Sequence, residues 1–222
     1  NWLTTDLRMH LNLIQLELLA TLLGVALLLA DLFMLPASNR KWLGNAGAAG
    51  LLALFGLSFT MEPGTGFDGI YVLDEYALFF KRFFLACGIF VMVFAADYSK
   101  NLPAARAEYF AFLIFALVGM MFSSSANDFS LLFVSVELIT ITFYVLVSFQ
   151  KNRMASLEAG VKYLILGAVS SAIMVYGIAL VFGEAGSLKF SVLHEKQAEL
   201  IGSQLFLFGL LFVFGGLAFK IS

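Results

Sequence analysis

The 222-residue sequence predicts an all-α fold, a polytopic bundle of about seven transmembrane helices. Hydrophobic residues make up 61% of it and charged residues 13%, whereas an ordinary soluble domain carries about 25% charge, so no water-facing surface can be built from it. The apolar residues fall in runs of about the twenty needed to cross a hydrocarbon core of about 30 Å. These runs are apolar on every side, unlike barrel strands, which alternate apolar and polar residues over about ten positions.

The first span runs from about Leu11 to Leu35 and is closed by Pro36, which precedes a short turn with Asn39, Arg40 and Lys41. The second, from about Trp42 to Thr60, carries Gly44, Gly47 and Gly50, small residues that suit close helix packing. A loop around Glu62, Pro63, Gly64, Gly66, Asp68 and Gly69 follows. The third span covers about Leu73 to Tyr98, the fourth Ala105 to Ser125, the fifth Phe129 to Gln150 and the sixth Leu157 to Phe182. Ser187 to Leu200 mixes Lys189, Glu195, Lys196 and Glu199 with apolar residues and reads as an interfacial helix. The seventh span begins near Ser203 and reaches Ser222, still inside an apolar run; with Asn1 as its first residue, the sequence reads as part of a longer protein.

Basic residues in short loops stay on the cytoplasmic side. Alternate turns hold Arg40 with Lys41, Lys100 with Arg106, and Lys151 with Arg153, while those between hold Glu62 and Asp68, then Asp128. The N-terminus is therefore expected outside.

Several function classes drop out. A net charge of −2 without a Lys/Arg cluster gives no footprint for nucleic acid. Cys87 is the single cysteine, so the sequence forms no internal disulfide and no multi-cysteine metal or iron–sulfur site. His10 and His194 fall outside the apolar runs, which excludes a haem held between two membrane histidines. No cofactor is expected in this chain, and redox chemistry falls to a partner subunit.

A charge at mid-membrane costs on the order of 2.5–3.5 kcal/mol even on lenient scales, so each one needs a reason. Glu137 sits in SLLFVSVELITITFYVLV, near the middle of the fifth span. Lys162 lies about five residues, roughly 8 Å, into the sixth span, and Lys220 lies late in the seventh, in FGGLAFKIS. A carboxylate and two amines in a helix-bundle interior make a proton relay, because small rearrangements there change proton occupancy strongly. Snorkelling of the lysines is the bland alternative. Lys81 and Arg82 follow Asp74 and Glu75 closely and read as interfacial. Thr140, Thr142, Tyr144, Ser170 and Ser171 offer hydroxyls near the three charges.

Through SLLFVSVELITITFYVLVSFQKNRMASLEAGVKYLILGAVSSAIMVYGIALVFG and FGGLAFKIS, the sequence resembles the antiporter-like membrane subunit N of respiratory complex I, NADH:quinone oxidoreductase, over about residues 70 to 222. The resemblance implies a fold of about fourteen helices with two inverted five-helix repeats. It would divide this sequence into N-terminal helices over 1–104 and the first repeat over 105–222. It further implies that Glu137 pairs with Lys220 in a helix broken near that lysine, that Lys162 joins the relay, and that Glu137 tunes the proton affinity of Lys220. The expected function is proton translocation in a hetero-oligomer with other membrane subunits of complex I, in the plasma membrane of a bacterium rather than an organelle membrane. A related cation/proton antiporter or membrane hydrogenase subunit shares these residues. A retinal protein is disfavoured, since the third span has acids only at its ends (Asp74, Glu75, Asp97). In a purely structural scaffold the ion pairs would fix helix register instead.

Overall fold

The computed structural model describes residues 10–33, 41–99 and 106–221. The basic turns around Arg40 and Lys100, together with Trp2, Pro36 and Ser222, lie outside the described residues. After a helical turn at residues 10–13, the elements are α1 (Gln15–Leu32), α2 (Lys41–Leu57), a hairpin of β1 (Gly64–Gly66) and β2 (Tyr71–Leu73), α3 (Glu75–Tyr98), α4 (Arg106–Ser124), α5 (Phe129–Val147), α6 (Met154–Ala185), short helices α7 (Phe190–Glu195) and α8 (Gln197–Leu200), and α9 (Gln204–Ile221). Among the described residues, six helices are long and apolar enough to cross a membrane, and α1 adds a shorter apolar stretch, Gln15–Ala30.

The helices pack around two centres. One joins α1 to α4 through Leu27, Leu43, Leu51, Leu85, Phe110 and Met121. The other joins the start of α5 to α6, α8 and α9 through Phe129, Met174, Val181, Leu200 and Val213. α5 bridges them, packing against α4 on one side and α6 on the other. Because lipid is as apolar as leucine, close packing rather than the hydrophobic effect must hold such helices together. Outward-facing phenylalanines on α3 (Phe79, Phe83, Phe90, Phe94) fit this solvent.

Small residues bring the backbones of α6 and α9 into contact. A Cβ built on Gly177 would stand 2.6 Å from the Gly209 carbonyl oxygen, and one on Gly216 would stand 2.9 Å from that of Ser170. The Ser170 hydroxyl donates to the Gly216 carbonyl at 2.7 Å, a hydrogen bond across the seam. α6 ends where Gly186 adopts φ 69° and its N–H bonds the Phe182 carbonyl, the left-handed cap that a Cβ disfavours.

The segment expected as a plain loop is a hairpin with register Gly64↔Leu73, Thr65↔Val72 and Gly66↔Tyr71. Its turn uses positive φ at Phe67, Asp68 and Gly69. Backbone bonds lace it to neighbouring connections: Val72 N–H to Ser125 O and Asn127 N–H to Ile70 O, both 2.9 Å. Asp128 and Lys189 form a further backbone bridge, and Lys189 Nζ reaches Asp68 Oδ2 at 2.7 Å. Three connections thus close one end of the bundle as a single patch, and the segment expected to be interfacial folds into α7 and α8 beside it.

Candidate functional site

α5 starts at Asp128, whose side chain accepts from the Ser130 N–H at 2.6 Å, an N-cap that fixes the helix's register. Two and a half turns on, that register points Glu137 toward α6 and α9. The α6–α9 seam supplies the partners. Ser170, in the seam, places Ser171 on the adjoining face of α6, and Gly216 places Lys220 one turn further along α9. Lys220 Nζ forms an ion pair with Glu137 Oε1, with side-chain exposures of 5% for the lysine and 19% for the glutamate. The Ser171 hydroxyl donates to the same carboxylate oxygen at 2.5 Å. Thr140 Oγ1 stands 3.5 Å from the other oxygen, Oε2, and Phe133 offers its ring face to Lys220 at 5.9 Å. α9 is unbroken from Gln204 through Lys220 to Ile221.

A cavity of about 520 Å³ opens beside the pair, lined by Thr140, Tyr144, Tyr163, Gly167 and Lys220 among others. It is polar enough to hold water, and the Tyr144 hydroxyl, buried without a protein partner, lies among its walls.

Lys162 is not drawn into this cluster. It forms an i,i+4 ion pair with Glu158, and both side chains are about two-thirds exposed at 68% and 65%. It neighbours Tyr163 of the cavity wall in sequence, but its side chain lies on the outer face of α6. The sequence reading passed over Glu158, which stands one turn before Lys162 on the same face.

A second buried charge pair lies among α1, the hairpin and α3. Lys81 and Glu17 are both fully buried, with Nζ 2.5 Å from Oε1. Nζ is also 2.5 Å from the Tyr71 hydroxyl, which donates toward Glu17 Oε1 at 3.0 Å and the Leu13 carbonyl at 3.1 Å. Burial, with the Glu17 charge beside it, pushes the Tyr71 phenol far above its ordinary value, so it stays protonated. The interfacial reading of Lys81 is therefore corrected: the hairpin folds over it and α1 supplies an opposite charge. Arg82, by contrast, reaches the Ser58 carbonyl at 3.2 Å and lies over the Phe59 ring. Glu17 and Lys81, opposite charges at similar depth in two apolar spans, were the available signal. Among the described residues no group of three or more His, Cys, Asp or Glu side chains could hold a metal ion.

Glu137 and Lys220 both lie in the part of the chain that matches a known family. Residues 126–222, which contain both, match the family described as NADH:quinone oxidoreductase/Mrp antiporter, transmembrane. More particularly, the chain is a homologue of NADH-quinone oxidoreductase subunit N. It is 37% identical over 217 residues to that subunit of Heliobacterium modesticaldum, covering 96% of this chain and 45% of the relative. For the Moorella thermoacetica subunit the figures are 35% over 214 residues, 96% and 45%; for that of Rhizorhabdus wittichii they are 40% over 180 residues, 79% and 37%. The chain thus spans less than half the length of these relatives. Two solved assemblies share the fold. Respiratory complex I from Thermus thermophilus aligns with TM-score 0.69 and 23% identity over 91% of this chain and 43% of that one. An archaeal membrane-bound sulfane sulfur reductase aligns with TM-score 0.71 and 21% identity over 93% and 43%.

Proposed function

We propose that this chain is a proton-translocating membrane subunit of a redox-driven NADH:quinone oxidoreductase, holding no cofactor itself and working with other membrane subunits in a bacterial plasma membrane. The observation that carries this reading is the partly buried Glu137–Lys220 pair with the Ser171 hydroxyl on the same carboxylate. Opposite charges in a poorly solvated site each favour the other's ionised form. When the two stand together the lysine holds its proton; when α5 moves away, the proton is released to water in the adjoining cavity. Ser171, on the same body as Lys220, steadies Glu137 in the paired position, and Thr140, on α5 itself, offers it a hydroxyl that moves with it.

Lys162 serves on the uptake side of this relay. It stands with Glu158 on the outer face of α6, so its place is at the approach to the relay and not beside the Glu137–Lys220 pair. The N-terminus faces outward and the Lys151–Arg153 turn inward, so that the Lys162 end meets the cytoplasm. Residues 105–222 belong to the first antiporter-like repeat. The alternative, a subunit of a cation/proton antiporter or membrane-bound hydrogenase, keeps the same pair and differs in what drives it.

The test is NADH-driven proton uptake into inverted vesicles bearing Glu137→Gln, with assembly checked on a native gel. An assembled complex whose uptake falls sharply supports the relay; unchanged uptake overturns it. Uptake in the wild type that follows a sodium gradient and ignores NADH would favour the antiporter reading.

A further inference from the structure

The Glu17–Lys81–Tyr71 cluster is built on α1, β2 and α3, none of which carries the Glu137–Lys220 pair, and two of its features are not explained by packing. Glu17 Oε2 is buried without a hydrogen-bond partner, although the residue is fully enclosed. Ser125 Oγ, on a residue only 2% exposed, meets no partner in full hydrogen-bond geometry but lies within reach of the Tyr71 phenol. A buried acceptor and a buried hydroxyl left open next to an ion pair are expensive unless a proton or water completes them.

Ser125 also lines a separate cavity of about 460 Å³ at the hairpin end, together with Asp74, Tyr76, Ser123, Ser124 and Asn127. Such a cavity is roomy and polar enough for several waters. Lys81 Nζ, the Tyr71 hydroxyl and Ser125 thus stand in succession between the ion pair and the cavity.

We infer that Glu17, Lys81 and Tyr71 form a second proton-binding site, which exchanges protons with the hairpin end of the bundle through the Ser125 cavity. In the exchange, the Tyr71 hydroxyl turns from Glu17 toward Ser125 and its proton leaves by way of Ser125 to the cavity water, as Lys81 gives a proton to the Tyr71 oxygen. Tyr71 remains neutral, the water gains one positive charge, and Lys81 is left as a neutral amine beside ionised Glu17. Reprotonation of Lys81 resets the site. The titratable groups meeting there are Glu17 from α1, Tyr71 from β2 and Lys81 from α3; Ser125, at the end of α4, adds a hydroxyl. His10, near the start of the first helix, sits on the hairpin, accepting from the Phe67 N–H at 3.3 Å.

The inference rests on the proposed function, and Glu137→Gln measured in parallel separates the two. In the assembled complex, two variants are compared with it for NADH-driven proton uptake and for assembly on a native gel. Lys81→Arg keeps the charge and the pairing but cannot release a proton. Glu17→Gln with Lys81→Met removes both charges together, which a purely structural pair tolerates. The expected result is that one or both assemble and lose uptake to the level of Glu137→Gln. Wild-type uptake in either assembled variant, or failure of both to assemble, assigns the cluster to structure and overturns the inference. If Glu137→Gln itself pumps normally, it is the relay reading that falls.

Discussion

Removing one member of a buried ion pair strands the other charge, at a cost of about 3–5 kcal/mol, while removing both is far milder. Lys220→Met is therefore expected to destabilise the protein more than Glu137→Gln combined with Lys220→Met, and heating in detergent followed by a native gel would rank them. The pair holding Lys189 against Asp68 is of another kind, for it is exposed. The Lys189 ammonium lowers the Asp68 carboxyl from its ordinary 3.8. A depressed carboxylate favours the folded clamp fully above that ordinary value, and the contribution fades as pH falls through the lowered one. In Lys189→Ala the Asp68 titration, followed by carboxyl NMR, is expected to return upward toward 3.8.

Between helices the decisive chemistry is the absence of side chains. A Cβ on Gly209 would lie 3.0 Å from both the Gly177 carbonyl oxygen and the Val181 nitrogen, and backbone atoms cannot rotate aside. Gly209→Val is expected to cost about 1–3 kcal/mol by overpacking, and to draw Lys220 away from Glu137. Gly215, on the same helix, has nothing within 4 Å of a built Cβ, so Gly215→Ala should leave stability and proton uptake near wild type. A thermal-stability comparison of the two variants separates a seam from a generic dislike of substitution in α9. The hydroxyl bridge Ser170–Gly216 adds a smaller contribution, about 0.6 kcal/mol by the average for such bonds in membranes.

For the molecule as a whole, the direction of insertion can be checked by cysteine labelling in intact cells. A cysteine at Asp68 is expected to react with an impermeant reagent from outside, and one at Lys151 only after the cells are opened; the reverse pattern would invert the topology. Much of this architecture was legible because every span is a long apolar run, and length and hydropathy are properties of the sequence itself. Their ends were less so: α6 extends from Met154 to Ala185, beyond the expected Leu157 to Phe182, since its polar flanks at Ser156 and Glu184 continue the helix. Glu137 and Lys220 stood out because each is a charge deep in an apolar run. Lys81 did not, as its burial is created by Glu17, which lies 64 residues away in sequence, and by a hairpin whose strands of three residues give almost no alternating pattern. Lys162 was legible as a charge, but its exposed partnership with Glu158 depends on which face of α6 the glycine seam turns inward.

That seam also has a mechanical meaning. Two helices in backbone contact over several turns, with a hydroxyl bonded across them, leave little side-chain material to deform along the seam and are expected to travel as one beam. Lys220 and Ser171 ride on the beam, while Glu137 rides on α5. In the proposed relay, any movement of α5 relative to the beam would change the distances from the Glu137 carboxylate to the Lys220 ammonium and the Ser171 hydroxyl, so that the site would act as a gauge in which displacement is read as charge.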